Sequence, residues 1–107
     1  MLRRYFSGGV CTSRDRVEDK TIIITGGNTG IGLETAKELA RRGGRVILAC
    51  RDTSKGHAAV SEVKKYSGNN QVIFQHLDLS SLASVRDFCK RINETESRLD
   101  ILINNAG

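Results

Sequence analysis

A run of β-branched residues passes directly into a glycine-rich turn and then into a helical pattern, and this succession constrains the fold more than any other feature. The run is Thr21–Thr25, and glycines follow at positions 26, 30 and 32. Such glycines suit a tight turn, close approach of the backbone to a pyrophosphate and close packing of the next helix. The backbone amides at the start of that helix can form an anion-binding site. The pattern predicts a dinucleotide site; the alternative is a helix that merely follows a flexible turn.

Short apolar runs alternate with helical patterns along the rest of the chain. The predicted strands cover residues 21–25, 45–50, 71–76 and 100–104. This alternation predicts right-handed crossovers and an α/β fold, a partial Rossmann-like doubly wound parallel sheet of four strands and three crossover helices in the order 3-2-1-4. Ligands bind such sheets at the carboxyl ends of the strands, where the order reverses between the first and fourth strands.

Each of the three helical patterns has one apolar face. The first face carries Leu33, Ala36, Leu39 and Ala40; the second, over about residues 54–66, carries Ala59, Val63 and Tyr66; the third carries Leu82, Val85, Phe88, Cys89 and Ile92. Gly43 and Gly44 end the first helix with a left-handed cap. We therefore expect Cys89 to be a core residue.

Residues 1–19 lack apolar periodicity and are predicted to form an N-terminal arm. Residues 20–107 are predicted to form one dinucleotide-binding half-domain, which stops before any catalytic constellation appears. The fourth strand is then expected to lie at an open sheet edge, which exposes Ile101, Leu102 and Ile103 to pairing with another chain.

Composition excludes several classes of function. The net charge is +5, but the basic residues are scattered among acids and aromatic residues make up only 5%, so nucleic-acid binding is not indicated. No segment has the roughly 20 apolar residues that span a bilayer. The cysteines at 11, 50 and 89 have no metal-ligand spacing, and His57 and His76 are isolated, so no metal site is predicted.

The end of the second strand indicates which cofactor is bound. An acid at this point binds the adenosine ribose of NAD, whereas an arginine nearby receives the 2′-phosphate of NADP. The sequence here is Ala49-Cys50-Arg51, which favours NADP(H). Asp52 is either a loop acid or the cap of a helix that begins near Ser54. After the third strand, Asp78 is either a turn residue or an acceptor for the adenine amino group, and Ser80 or Ser81 caps the next helix.

Three features together resemble the short-chain dehydrogenase/reductase family over residues 20–107. They are the pattern Thr25-Gly26-x-x-x-Gly30-Ile31-Gly32, Asp78, and the segment Asn104-Asn105-Ala106-Gly107. Within that family, residues 7–11, 27–32 and 48–52 are most similar to the microsomal retinol dehydrogenases, which reduce all-trans-retinal with NADPH. The resemblance implies an oxidoreductase that acts on an alcohol/carbonyl pair.

The resemblance also implies the residues that contact NADP(H). These are Gly26, Asn28, Thr29, Gly30, Ile31 and Gly32 around the pyrophosphate, Arg51 at the 2′-phosphate, Asp78 and Leu79 at the adenine, and Asn104, Asn105 and Ala106, followed by Gly107, beside the ribose and nicotinamide. The family's catalytic tyrosine is followed four residues later by a lysine. Neither Tyr5 nor Tyr66 has a lysine at that spacing, so no catalytic residue is assigned.

For the full-length protein, the resemblance implies a small-molecule substrate such as a retinoid and a location on the cytosolic face of the endoplasmic reticulum. Membrane association would require an anchor upstream of Met1. Mitochondrial and cytoplasmic locations stay open, since Arg3 and Arg4 have no acid before Asp15. The oligomeric state is unknown. A non-enzymatic NADP(H)-binding redox sensor, or an inactive fragment, is the alternative function.

Overall fold

The computed structural model describes residues 4–7, 20–26, 30–97 and 99–104. The strands are β1 (Arg4–Ser7), β2 (Thr21–Thr25), β3 (Arg45–Cys50), β4 (Val72–His76) and β5 (Ile101–Asn104). The helices are α1 (Gly30–Arg41), α2 (Thr53–Ser67) and α3 (Leu82–Thr95). The strands and helices predicted between residues 20 and 104 are confirmed, and their ends differ by about one residue.

All neighbouring strands run parallel, in the order β1-β5-β2-β3-β4. From β4 to β5 this is the predicted 3-2-1-4 order, so the doubly wound α/β prediction is confirmed. The order reverses between β2 and β5, where Thr25 pairs in register with Asn104. Because parallel strands end on the same side, the residues that follow β2, β3, β4 and β5 all meet at the carboxyl end of the sheet.

The strand β1 is an addition to the predicted sheet. The sequence predicted an arm here and an open edge at β5, but β1 pairs along the outer side of β5, from Arg4 opposite Ile101 to Ser7 opposite Asn104. The open-edge prediction is therefore wrong, because outward backbone groups of β5 have partners in β1. A strand of four residues is too short to show a periodic pattern, although its two aromatic residues have high strand propensity.

The sheet is covered on both faces. On one face Ile24 and Val63 belong to a core formed with α1 and α2. On the other face Ile47 packs with Phe88 and Ile92 of α3. Consecutive residues of β2 and of β3 alternate between these two cores, so every residue of β2 is buried. This two-sided burial is why the central strands are continuous apolar runs and do not alternate with polar residues.

Cys89 and Tyr66, which the helical patterns assigned to apolar faces, lie outside the core. Cys89 is exposed, because α3 contacts the sheet through Phe88 and Ile92 and the next position is turned about 100° around the helix. Tyr66 is 55% exposed near the end of α2. Its ring lies 5.6 Å from Nζ of Lys37, a cation–π contact between α2 and α1.

Two polar contacts join distant segments at the amino end of the sheet. The guanidinium of Arg45 donates to the buried carboxylate of Glu96, with Nε–Oε1 at 2.6 Å and Nη2–Oε2 at 2.9 Å. The buried carboxylate of Asp100 accepts from the amide of Thr21 at 3.0 Å. The first contact fixes the start of β3 to the end of α3, and the second fixes the start of β5 to β2. Both help to hold the opposite, carboxyl end in register.

The side chain of Asn69 connects three segments of the chain. Its Nδ2 donates to the carbonyl of Ala40 at 2.9 Å and to that of Gly44 at 2.8 Å. Its Oδ1 accepts from the amide of Gln71 at 2.8 Å. The amide group thus ties the end of α1 and the turn after it to the start of β4, and it is a second donor to the Ala40 carbonyl, which also accepts from the amide of Gly43.

We expect Asn69→Asp to lower the free energy of unfolding by about 1–3 kcal/mol at neutral pH, because a carboxylate loses both donors and faces two carbonyl oxygens. The two carbonyl oxygens raise the pKa of the introduced carboxyl in the folded chain, and protonation restores one donor. The loss should therefore shrink as pH falls from neutral toward the ordinary carboxyl pKa of about 4. Urea unfolding at several pH values measures both effects. The neighbouring exposed Asn70→Asp is the matched control and should change stability by less than about 0.5 kcal/mol. Equal losses from the two variants would contradict this role for Asn69.

Candidate cofactor site

The glycine-rich turn starts the site. Gly26 follows β2 with φ 65°, and its amide donates to the carbonyl of Ala49 at 2.8 Å. Gly30 opens α1 with φ 59°, and a Cβ added there would meet no atom within 4 Å. Both glycines adopt the left-handed conformation that other residues rarely take. The open space beside Gly30 and the first amides of α1 suit a pyrophosphate, and a side chain at this position would reduce that space.

A hydrogen bond joins the two strands between which the sheet order reverses. Oγ1 of Thr25 donates to Oδ1 of Asn104 at 2.9 Å and also lies 3.4 Å from the carbonyl of Ile103. The side chain that ends β5 is therefore held beside the residue that precedes the glycine-rich turn. The predicted pyrophosphate and nicotinamide segments thus start from adjacent positions at the carboxyl end.

The end of β3 separates a buried cysteine from an exposed arginine. The Cys50 side chain is buried, its Sγ lies 3.4 Å from the Asp52 carbonyl, and burial raises the pKa of its thiol. Arg51 is exposed. The Asp52 carboxylate accepts from the amide of Lys55 at 2.9 Å and caps α2, which confirms one of its two predicted roles. At this point Arg51 is therefore an exposed charge, whereas the Asp52 carboxylate is used by the cap of α2.

Asp78 has a well-defined local environment after β4. Its carboxylate accepts from Oγ of Ser80 at 2.6 Å and from the Ser80 amide at 3.0 Å, and these hydrogen bonds lower the pKa of the Asp78 carboxyl. The nearby positive charge of Arg51 and the His76 side chain lower this pKa further. Asp78 and Arg51, predicted to contact adenine and the 2′-phosphate, are therefore close enough to interact.

The backbone around Asp78 is also fixed. The Asp78 amide donates to Oγ of Ser84 at 2.9 Å, and Ser81 caps α3 by accepting from the Ser84 amide at 3.2 Å. Of the two serines predicted as candidate caps, Ser80 and Ser81, it is Ser81 that caps α3. Ser80 and Ser84 were not predicted to hold Asp78, since such turn contacts depend on backbone geometry that sequence spacing does not specify.

Large apolar side chains are exposed in the segments that follow β2 and β4. Ile31 starts α1 and is 54% exposed, Leu79 follows β4 and is 56% exposed, and Leu82 starts α3 and is 66% exposed. Leu82 was predicted to lie in the core, but it is in the first turn of α3, ahead of the residues that reach the sheet. Exposed apolar groups at one end of the sheet provide contact surface for the flat, apolar faces of a ligand.

Five of the predicted contact residues lie outside the described residues. They are Asn28, Thr29, Asn105, Ala106 and Gly107. The other predicted contact residues all lie at or next to the carboxyl end of the sheet: Gly26, Gly30, Ile31, Gly32, Arg51, Asp78, Leu79 and Asn104. Thr25 was predicted only as the start of the motif, although it orients Asn104.

No other part of the described chain offers a comparable site. Within the described residues, no group of three or more His, Cys, Asp or Glu side chains could hold a metal ion, and no helix is long and apolar enough to cross a membrane. His57 is exposed, and its ring lies 4.8 Å from that of Phe74. A shallow depression lies on the outer face of α2 at Ala58, Ser61 and Glu62, away from the carboxyl end.

We expect Ser80→Ala to raise the pKa of Asp78 toward the ordinary range, because the carboxylate loses its strongest hydrogen bond. The pKa is lowered in the folded protein, so this bond stabilises the fold above the ordinary carboxyl pKa and stops doing so as pH falls through the lowered value. Titration of the carboxyl carbon by nuclear magnetic resonance measures the shift. Ser84→Ala removes a bond to the backbone amide only and is the control. An unchanged Asp78 pKa in Ser80→Ala would contradict this cause.

Comparison with known proteins identifies relatives of the whole chain. The family described as short chain dehydrogenase matches residues 20–107. Mouse retinol dehydrogenase 12 is 53% identical over 99% of this chain and 34% of its own length. Human retinol dehydrogenase 13 is 53% identical over 100% of this chain and 32% of its own length. The chain therefore spans about a third of the length of these relatives.

Solved structures have the same arrangement of strands and helices. L-sorbose reductase from Gluconobacter frateurii, in complex with NADPH and L-sorbose, is 30% identical with a TM-score of 0.76, over 85% of this chain and 34% of its own. The family match over residues 20–107 covers both the glycine-rich turn and the end of β5. The chain belongs to the short-chain dehydrogenase family of oxidoreductases.

Proposed function

We propose that this chain is the NADP(H)-binding part of a short-chain oxidoreductase that acts on an alcohol/carbonyl pair, with a retinoid as the substrate of the complete protein. The observation that carries the proposal is the contact between Thr25 and Asn104, with Oγ1 and Oδ1 2.9 Å apart, at the reversal of strand order. It brings the end of β5 beside the glycine-rich turn. Relatives named retinol dehydrogenases, at about half identity, support the choice of substrate class.

The pyrophosphate would bind at the start of α1. Gly26 and Gly30 have positive φ, and the space beside Gly30 is open. The first amides of a helix have no partners within the helix and carry the positive end of its dipole, so they favour an anion. Asn28 and Thr29 would complete this binding segment. The positive φ of both glycines and the open space at Gly30 support this placement of the pyrophosphate.

Arg51 would select NADP(H) over NAD(H). Its guanidinium is exposed at the end of β3, and a planar group with several donors suits a phosphate. The neighbouring position holds Cys50, whose buried thiol has a raised pKa and stays neutral, so it does not repel a phosphate. Asp52 caps α2 through the Lys55 amide and so has a structural role of its own.

Asp78 and Leu79 would receive the adenine. The exposed Leu79 side chain offers an apolar surface for the ring. Ser80 fixes the orientation of the Asp78 carboxylate, which retains lone pairs for an amino group. Arg51 lies near Asp78, so the two predicted partners of the adenosine portion occupy one region.

When bound, NADP(H) supplies the hydride that an alcohol/carbonyl conversion requires. The residues of this chain would hold and orient it, and Asn104, Asn105 and Ala106 would lie beside its nicotinamide end. A proton donor or acceptor at the substrate oxygen is a separate requirement. The tyrosine and lysine that the family uses for this step have no counterpart at the required spacing in this sequence.

We expect Arg51→Ala to weaken NADPH binding by roughly 1.5–3 kcal/mol, or about 10-fold to 150-fold, and to leave NADH binding nearly unchanged. The reason is that only NADPH carries the 2′-phosphate. Titration followed by NADPH fluorescence and by calorimetry measures both affinities.

Arg86→Ala is the matched control, since Arg86 is an exposed arginine on α3. It removes the same charge and should change neither affinity by more than about twofold. If Arg51→Ala weakened NADPH and NADH equally, the assignment of the 2′-phosphate to Arg51 would be wrong.

We expect the 107-residue chain to bind NADPH without oxidising it in the presence of retinal or simple aldehydes. The positions four residues after Tyr5 and Tyr66 are Gly9 and Asn70, so neither tyrosine has the lysine that would lower its pKa. NADPH absorbance measures the rate, with protein purified free of host reductases. Turnover above the protein-free rate that Gly30→Trp abolishes would show that this chain carries chemistry of its own.

A further inference from the structure

The outer side of β5 is occupied by a strand that is held differently from the rest of the sheet. β1 pairs with β5 over Arg4–Ser7, in register with Ile101–Asn104. It has four residues, and β5 is the only described element with which it forms a strand pair. By contrast β5 also pairs with β2, and its residues Ile101 and Ile103 are buried in the main core.

This difference predicts unequal stability within the sheet. An edge strand that pairs with one neighbour opens at a lower free energy than a strand whose residues are buried in the core. β1 can therefore leave while the core that contains Ile101 and Ile103 stays folded.

The same side of β5 is where a larger sheet would continue. In doubly wound sheets of the order 3-2-1-4-5-6, the next strand lies beyond the fourth, which is β5 here. This chain spans about a third of the length of its retinol dehydrogenase relatives. The sheets of those longer proteins have further residues that can supply the strand. Two strands cannot occupy one side of β5 together.

We propose that Arg4–Ser7 is a detachable cover strand, which closes the outer side of β5 and yields it to the next parallel strand of a longer short-chain dehydrogenase sheet. While in place, it satisfies amides and carbonyls that would otherwise be a template for pairing with another chain. The inference rests on family membership and strand order and does not depend on NADP(H) binding.

The direction of individual backbone groups makes the proposal testable. Ile103's carbonyl lies 3.4 Å from Thr25 Oγ1, on the β2 side. Backbone groups alternate along a strand, so the Leu102 amide and carbonyl point toward β1. In a parallel ladder, a residue bonds to the two neighbours of its register partner. The partner of Leu102 is Tyr5, so Leu102 bonds to Arg4 and Phe6.

Amide hydrogen exchange in the full 107-residue chain tests whether β1 covers β5 and whether it opens before the core, as yielding to another strand requires. We expect the Leu102 amide to be protected and to exchange by a local opening that depends little on denaturant. We expect the Ile103 amide, which faces β2, to exchange only with unfolding of the core. If Leu102 and Ile103 exchanged together and with the same denaturant dependence, β1 would be an integral strand and the proposal would be overturned.

Two proline variants supply the matched pair. Phe6→Pro removes the amide that donates to the Leu102 carbonyl, whereas Tyr5→Pro removes an amide that points away from β5. We expect Phe6→Pro to lower Leu102 protection by about tenfold or more and to cause self-association in sedimentation velocity. Tyr5→Pro should leave both nearly as in the unaltered chain. Unchanged Leu102 protection in Phe6→Pro would show that β1 does not cover β5, whatever the affinity for NADPH.

Discussion

The parallel pairing of β2 with β5 is the interaction on which the arrangement depends. It places Thr25 opposite Asn104 and so brings together two segments that are far apart in the sequence. Helical crossovers require the strands to run parallel, and parallel strands all end on one side. The backbone hydrogen bonds of this pair, supported at the other end by the contact of Asp100 with Thr21, decide which loops meet at the carboxyl end.

The charged groups at that end are already engaged with one another. Arg51 lies near Asp78 and lowers the pKa of its carboxyl, and Ser80 contributes the larger part of that shift. A phosphate that binds Arg51 would compete with the Asp78 carboxylate, whose negative charge is partly stabilised by the hydrogen bonds from Ser80. An exposed guanidinium with a weak internal partner suits a ligand site better than one fixed in a salt bridge such as Arg45 with Glu96.

Local chemistry explains which sequence predictions were confirmed. Continuous apolar runs predicted the central strands, since both faces of β2 and β3 are covered. Asp52 and Ser81 were predicted as candidate caps, and both accept amide hydrogens at the start of a helix. Cys89 was assigned to the wrong face, because the period of a helix does not specify how deeply a helix packs on its sheet. β1 was missed altogether, since a strand that depends on a partner about a hundred residues away leaves no periodic signal in four residues.

The sequence by itself determined the alternation of strands and helices and the positions of the left-handed glycines. It also determined that an arginine, Arg51, and not an acid follows β3. Each of these features depends on neighbouring residues only. The tertiary structure alone decided that Thr25 orients Asn104, that Ser80 holds Asp78 near Arg51, and that Arg4–Ser7 covers β5. These contacts depend on the register between strands and the angles of loops. Backbone pairing uses groups that every residue except proline carries, so side-chain identity does not reveal which segments will pair.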